Sequence, residues 1–425
     1  MRAWSRVIIL ALALAPAART SLGGERATVS GKIVDLAGKP LENAIVIVHS
    51  AGVKKGYSIF CPTCYRDCGK RAVTDANGNY AISGLDPELL FTLVAVKDGY
   101  LAAYIWNVDP AAGPAQNAAL KPRLSVKDAS QIVRGRIVDA QGNAQRGAVV
   151  QPDMAVYQRP GGKFGFSAPN DWINELTVTN DNGEFELAYS TPVLEMTFRV
   201  MARGMAPMHF TASTGGERKT MVVVAGATIR GRLVYEGKPV PEAEVGLVPN
   251  DSSMGRWYPE VRIGTGEAGS FAITNVPPGR IWLLHPTMES LASRGIGADL
   301  VECETKFDSQ EVNLGEIRLT RAYSLRGKVV LSDDKPIPPE MHVTIATSRF
   351  GDGQVTKLDS HGSFRFDGLP DGIYSVIPAV KGYRLPNDCA IVCQSVEIIV
   401  NKDVKDFVIK MVPEAVPLPQ VQPVF

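Results

Sequence analysis

A short strand built around one glycine is written four times along this chain: Ser30-Gly31-Lys32-Ile33-Val34-Asp35, Arg134-Gly135-Arg136-Ile137-Val138-Asp139, Arg230-Gly231-Arg232-Leu233-Val234-Tyr235 and Arg326-Gly327-Lys328-Val329-Val330-Leu331. The four glycines stand 104, 96 and 96 residues apart. A self-similar period of this length means one structural unit repeated. Each opening strand is followed by a turn, such as Leu36-Ala37-Gly38-Lys39-Pro40, and then by a second alternating strand, such as Ala44-Ile45-Val46-Ile47-Val48. A second recurring element is a polar turn closed by glycine and an aromatic residue: Asp75 to Tyr80, Asn180 to Phe185, Glu267 to Phe271 and Asp359 to Phe364. Glycine supplies the positive φ that the hairpin needs, and the aromatic fills the core beside it. A third is a Pro/Gly corner, in Val276-Pro277-Pro278-Gly279 and Leu369-Pro370-Asp371-Gly372, replaced by Leu85-Asp86-Pro87 in the first repeat. Short β-branched strands with turn signals at this spacing predict antiparallel two-sheet β-sandwiches, four in a row.

The expected boundaries follow from where the opening strand restarts: β-sandwich repeats over residues 25–123, 124–226, 227–321 and 322–412. A tail over 413–425, with prolines at 413, 417, 419 and 423, is expected to be extended. A chain of 425 residues is too long for one compact domain, and its Gly 40 and Pro 29 suit many turns and few long helices. The net charge of +1 argues against a nucleic-acid partner. At the N-terminus, Arg2 and Arg6 precede the apolar run Val7 to Ala15, and Ala15-Pro16-Ala17 offers a cleavage site, so residues 1–17 read as a signal peptide. That run is far shorter than the roughly 20 residues a membrane span needs. The expected location is therefore secreted, periplasmic or cell-surface, where thiols oxidise.

The motifs carry a resemblance. G-x-[IV]-V-D-x-x-G-x-P-[LV]-x-x-A-x-V, then T-D-x-x-G-x-Y, then V-K-x-G-Y is similar to the carboxypeptidase regulatory-like domain. The first repeat carries it through Gly31, Val34, Asp35, Gly38, Pro40, Ala44, Thr74, Asp75, Gly78, Tyr80 and Lys97-Asp98-Gly99-Tyr100, and the fourth ends on Val380-Lys381-Gly382-Tyr383. The middle repeats match more loosely. The resemblance implies a transthyretin-like, carbohydrate-binding-like fold and an accessory binding role rather than catalysis.

Motifs for catalysis are missing. No HExxH, GxSxG, Walker loop or dinucleotide fingerprint occurs, and His49, His209, His285, His342 and His361 never stand at metal-ligand spacing. The Asp75-Ala76-Asn77-Gly78-Asn79 loop lacks the spacing of a calcium loop and reads as a hairpin. The sharpest local feature is Cys61-Pro62-Thr63-Cys64-Tyr65-Arg66-Asp67-Cys68 in the loop before the Gly78 turn. In an oxidising compartment these cysteines are expected to form disulfides, at least two of the three being oxidised. A zinc site completed by His49 and a redox-active pair are the other readings. Cys303, Cys389 and Cys393 complete the disulfide candidates, and six cysteines allow 15 pairings. The equivalent loop is aromatic in the other repeats: Tyr157, Phe164, Phe166 and Trp172 in the second, Trp257 and Tyr258 in the third. Such rings either contact a glycan or protein partner or cover the open end of their own core. The chain is accordingly expected to be an exported, non-enzymatic binding or structural protein, with no cofactor, no metal, no nucleic-acid partner and no membrane span after signal removal. An accessory factor of a secretion, uptake or hydrolase system, acting through Cys61, Cys64 and Cys68, is the alternative.

Overall fold

A computed structural model describes residues 25–113, 115–123, 128–167, 176–189, 192–250, 261–347, 352–386 and 395–414. The expected signal peptide and most of the proline-rich tail lie outside them.

The regular structure of the described chain is nearly all strand, arranged as pairs of facing sheets. In the first pair, Ala27–Asp35 lies between Asn79–Leu85 and Ala118–Leu120. The facing sheet runs Arg71–Val73, Ile45–Val53, Leu89–Val96, Ala103–Val108. The same scheme recurs. Ile132–Val138 lies between Glu184–Ala188 and Lys219–Val222, Ala227–Tyr235 between Ser270–Val276 and Glu311–Arg321, and Tyr323–Leu331 between Ser363–Leu369 and Val404–Pro413. The opening strand pairs antiparallel with the strand after the glycine turn, but parallel with the last strand of its unit. Among the described residues the antiparallel expectation therefore holds for every strand pairing except this one. Side-chain alternation has period two whichever way the neighbour runs, so it carries no signal for the exception.

Four large clusters of buried side chains lie between the facing sheets, and a small fifth cluster joins Val94 of the first pair to Val149 and Leu176 of the second. Val94 thus packs outward between neighbours, while Ile33, Val46 and Tyr80 fill the first core. Strand alternation lets one face fill its own core and the other seal a junction.

The two glycine motifs lock onto each other. Gly31 pairs in register with Tyr80, Gly135 with Phe185, Gly231 with Phe271 and Gly327 with Phe364. In each case the ring lies across the glycine: a Cβ would fall 2.9, 2.4, 2.6 and 2.4 Å from the nearest ring carbon, respectively. The turn glycines Gly78, Gly183, Gly269 and Gly362, all at positive φ, sit under the same opening strand, and their carbonyls accept N–H bonds from Ile33, Ile137, Leu233 and Val329 at 2.8–2.9 Å. Thr74 shows why a threonine precedes the turn. Its buried hydroxyl donates to the Leu41 carbonyl at 2.6 Å and accepts the Ala44 N–H at 2.8 Å, and Thr179 and Thr265 repeat the arrangement. The Asp75 carboxylate accepts the Asn77 and Asn79 N–H groups, so it organises the hairpin.

Candidate functional site

The three-cysteine loop leaves the strand Ile45–Val53 and returns at Arg71–Val73. Backbone bonds fold it onto its own sheet: the Ala51 N–H reaches the Pro62 carbonyl at 2.9 Å, and the Gly69 and Val48 N–H groups donate to the Val48 and Lys70 carbonyls at 2.7 and 2.8 Å. Cys68 is 1 % exposed and belongs to the first core, its thiol donating to the Pro62 carbonyl at 3.3 Å. Asp67 beside it is equally buried, held by Arg26 at 2.6 Å and Lys70 at 2.8 Å. Tyr65 stacks near Phe60 and donates to Asp86 at 2.7 Å.

The tip of the loop faces outward onto two other sheet pairs. Asn275, next to last in the third pair's strand Ser270–Val276, donates through Nδ2 to the Gly204 and Ala225 carbonyls at 2.9 and 2.8 Å. That choice turns its Oδ1 toward Cys64 Sγ, at 2.7 Å. The same sulfur lies 2.7 Å from Cys61 Sγ. A thiol has one proton, so Cys64 donates to one neighbour while touching the other. Arg203 of the second pair reaches the Arg66 carbonyl at 3.4 Å and lies against Gly69. The Gly264 N–H of the third pair donates to the Ser58 carbonyl at 2.7 Å, and a Cβ on Gly264 would meet Tyr57 Cβ at 2.7 Å. One loop therefore braces three sheet pairs. The Cys64 hydrogen bond favours the thiolate of Cys61 and lowers its pKa to about 6, while the same bond and burial push Cys64 up. Burial raises Cys68 to about 12.

Cys61, Cys64, Cys68 and Cys303 stand as free thiols. Cys303 lies in the third core, in register with Trp282. Cys389 and Cys393 fall outside the described residues. His49, weighed as a fourth zinc ligand, instead packs its ring against Tyr104 at 5.7 Å, and burial, then Arg199, lowers its pKa to about 4. Among the described residues, no group of three or more His, Cys, Asp or Glu is placed to hold a metal.

The aromatic set divides. Tyr157 is 6 % exposed within the second core, because strand alternation turns it inward, and is not a surface contact. Phe164, opposite it in a hairpin, is 43 % exposed. Phe166 pairs by its backbone with Ala155 in that hairpin. Trp172, Trp257 and Tyr258 lie outside the described residues. Asn275 and Arg203 escape a reading of the sequence because their partners are remote along the chain. In the structure Asn275 takes a positive φ just before Val-Pro-Pro-Gly, a backbone conformation that asparagine adopts more readily than most residues.

A family model described as Dioxygenase matches residues 14–93, well short of half the chain. No curated protein matches. Among solved structures, the Bacillus anthracis TIE protein is 13% identical, with 91% of this chain and 74% of that one covered and a TM-score of 0.21. A streptococcal ancillary pilin is 12% identical over 67% of this chain and 99% of its own, at 0.23. GBS52, the minor pilin of Streptococcus agalactiae, is 14% identical over 46% and 99%, also at 0.23. Likeness at such scores carries no argument about function.

Proposed function

We propose that the chain is an exported, non-enzymatic structural protein: a row of four sandwich domains with boundaries near residues 124, 226 and 321, presenting loops to a protein or glycan partner at the cell envelope. The observation that carries this reading is the brace at the cysteine loop. Tyr57, Ser58, Cys64 and Arg66 of one unit are spent on contacts with Gly264, Asn275 and Arg203 of the next two. Backbone and side-chain groups committed to fixing neighbours against each other build a stiff spacer, and stiffness lowers the ordering cost when its loops meet a partner. The contact surface in this reading comprises Phe164, Phe166, Trp172, Trp257 and Tyr258. The Dioxygenase match does not redirect it, since the described part of that segment consists of the strands and the loop of the first sheet pair.

Cell fractionation with mass spectrometry, followed by capture on immobilised envelope extract, tests the proposal. The protein should be recovered outside the cytoplasm without residues 1–17. Trp257→Ala with Tyr258→Ala should weaken capture about tenfold or more at an unchanged melting temperature. Retention in the cytoplasm with Met1 in place would overturn export, and a collapse of melting temperature would make these rings core.

A further inference from the structure

A cavity of about 580 Å3 lies between the third and fourth sheet pairs, within the size range of small-molecule sites. One wall is the end of the strand Arg280–Pro286 and the chain around the helix Met288–Leu291, through His285, Met288 and Leu300. The opposite wall is the Pro/Gly corner and the strand Gly372–Ala379, through Asp371, Ile373 and Tyr374. The walls are pinned to each other. Asp352, 3 % exposed, accepts the Met288 N–H at 3.0 Å and faces His285 Nδ1 at 3.4 Å. Met288 itself is buried in the fourth core, and a Cβ on Gly297 would fall 2.5 Å from Pro370 Cγ. These contacts hold the two walls in place against each other.

Its charge is one-sided. Among the described residues Asp299, Asp352 and Asp371 line it, and neither lysine nor arginine does. Burial and then these three carboxylates push the Tyr374 hydroxyl, which donates to the Pro370 carbonyl at 2.7 Å, well above its ordinary range. Asp299 and Asp371 are exposed, so the negative charge stands at the mouth. Beside them Ile373, 51 % exposed, and Leu300 offer an apolar surface that the fold leaves wet. The enclosed Thr347 Oγ1 has no hydrogen-bond partner among the described residues. It is an acceptor held ready inside.

We propose that this cavity binds a small organic cation: a primary ammonium carried on a short apolar chain. The ammonium is held by Asp299 and Asp371, and the chain lies along Ile373 and Leu300. Among the described residues an anion meets three carboxylates, with His285, which faces Asp352, as the one basic side chain in the lining. A neutral alcohol of equal length gains the apolar contact alone.

Calorimetric titration of the full chain with hexylammonium, hexanol and hexanoate tests this. Hexylammonium should bind saturably at one per chain, hexanol about tenfold more weakly and hexanoate not at all. Asp299→Asn with Asp371→Asn, both at exposed positions, should bring hexylammonium down to the hexanol level at an unchanged melting temperature. Absence of saturable hexylammonium binding, hexanol binding as tightly, or an unchanged affinity in the double variant would each overturn the proposal.

Discussion

At Gly327 a methyl group would sit 2.4 Å from Phe364 Cζ and 2.5 Å from the Phe407 carbonyl oxygen, one a ring in the core and the other backbone. Neither yields cheaply. Gly327→Ala should therefore destabilise the full chain by about 1–3 kcal/mol in thermal or denaturant unfolding. Gly165→Ala, with open space around it, should stay within about 0.5 kcal/mol. Equal losses at the two glycines would mean that the contact with the ring does not govern the position. Both halves of this lock were visible in the sequence as recurring letters, Gly in the opening strand and Tyr or Phe after the turn. What could not be read was that they face each other. Sequence spacing places them in separate motifs, and only the hairpin register puts Tyr80 across Gly31 and Phe364 across Gly327. The same limit applies to Tyr157: an aromatic in an aromatic-rich stretch reads as a surface contact until the strand's phase is known, and that phase turns it into the core.

The cysteine loop was conspicuous as an element, but its surroundings were not. Asn275 is 211 residues from Cys64, and no local pattern reports a partner at that distance. The arrangement has a chemical signature. With its thiolate favoured by Cys64, Cys61 should react with iodoacetamide with a midpoint near pH 6, whereas an ordinary thiol titrates near about 8.5. Reactivity is high above that midpoint and falls as the pH drops through it, because only the thiolate attacks. Cys64→Ala should return the midpoint toward the ordinary range. Cys68, raised to about 12 by burial, should stay unlabelled in the folded protein at neutral pH. Site-resolved mass spectrometry of labelled peptides over a pH series checks all three. An ordinary midpoint at Cys61 in the unaltered chain would sink the argument.

For the molecule as a whole, the repeat period announced the recurring pairs of β-sheets, while the direction of the closing strand stayed hidden, since it depends on how the chain crosses from one sheet to the other. That direction has a mechanical meaning. An opening and a closing strand that run side by side the same way bring the chain in at one end of a unit and send it out at the opposite end. Tension applied through the two ends then shears the ladder between those strands along its length, and its hydrogen bonds must give together rather than one by one. The ladders differ in length: Ile33 to Asp35 against Ala118 to Leu120 in the first unit, but Thr228 to Tyr235 against Glu311 to Leu319 in the third. Pulled from its termini in a force spectrometer, the chain should lose the first unit at the lowest force and hold the third and fourth to the highest, because rupture under force follows the unfolding barrier rather than equilibrium stability. Rupture in the reverse order would show that the long ladders are not the clamps. A chain built this way is suited to being pulled on, with the unit that carries the three-cysteine loop as the link that yields first.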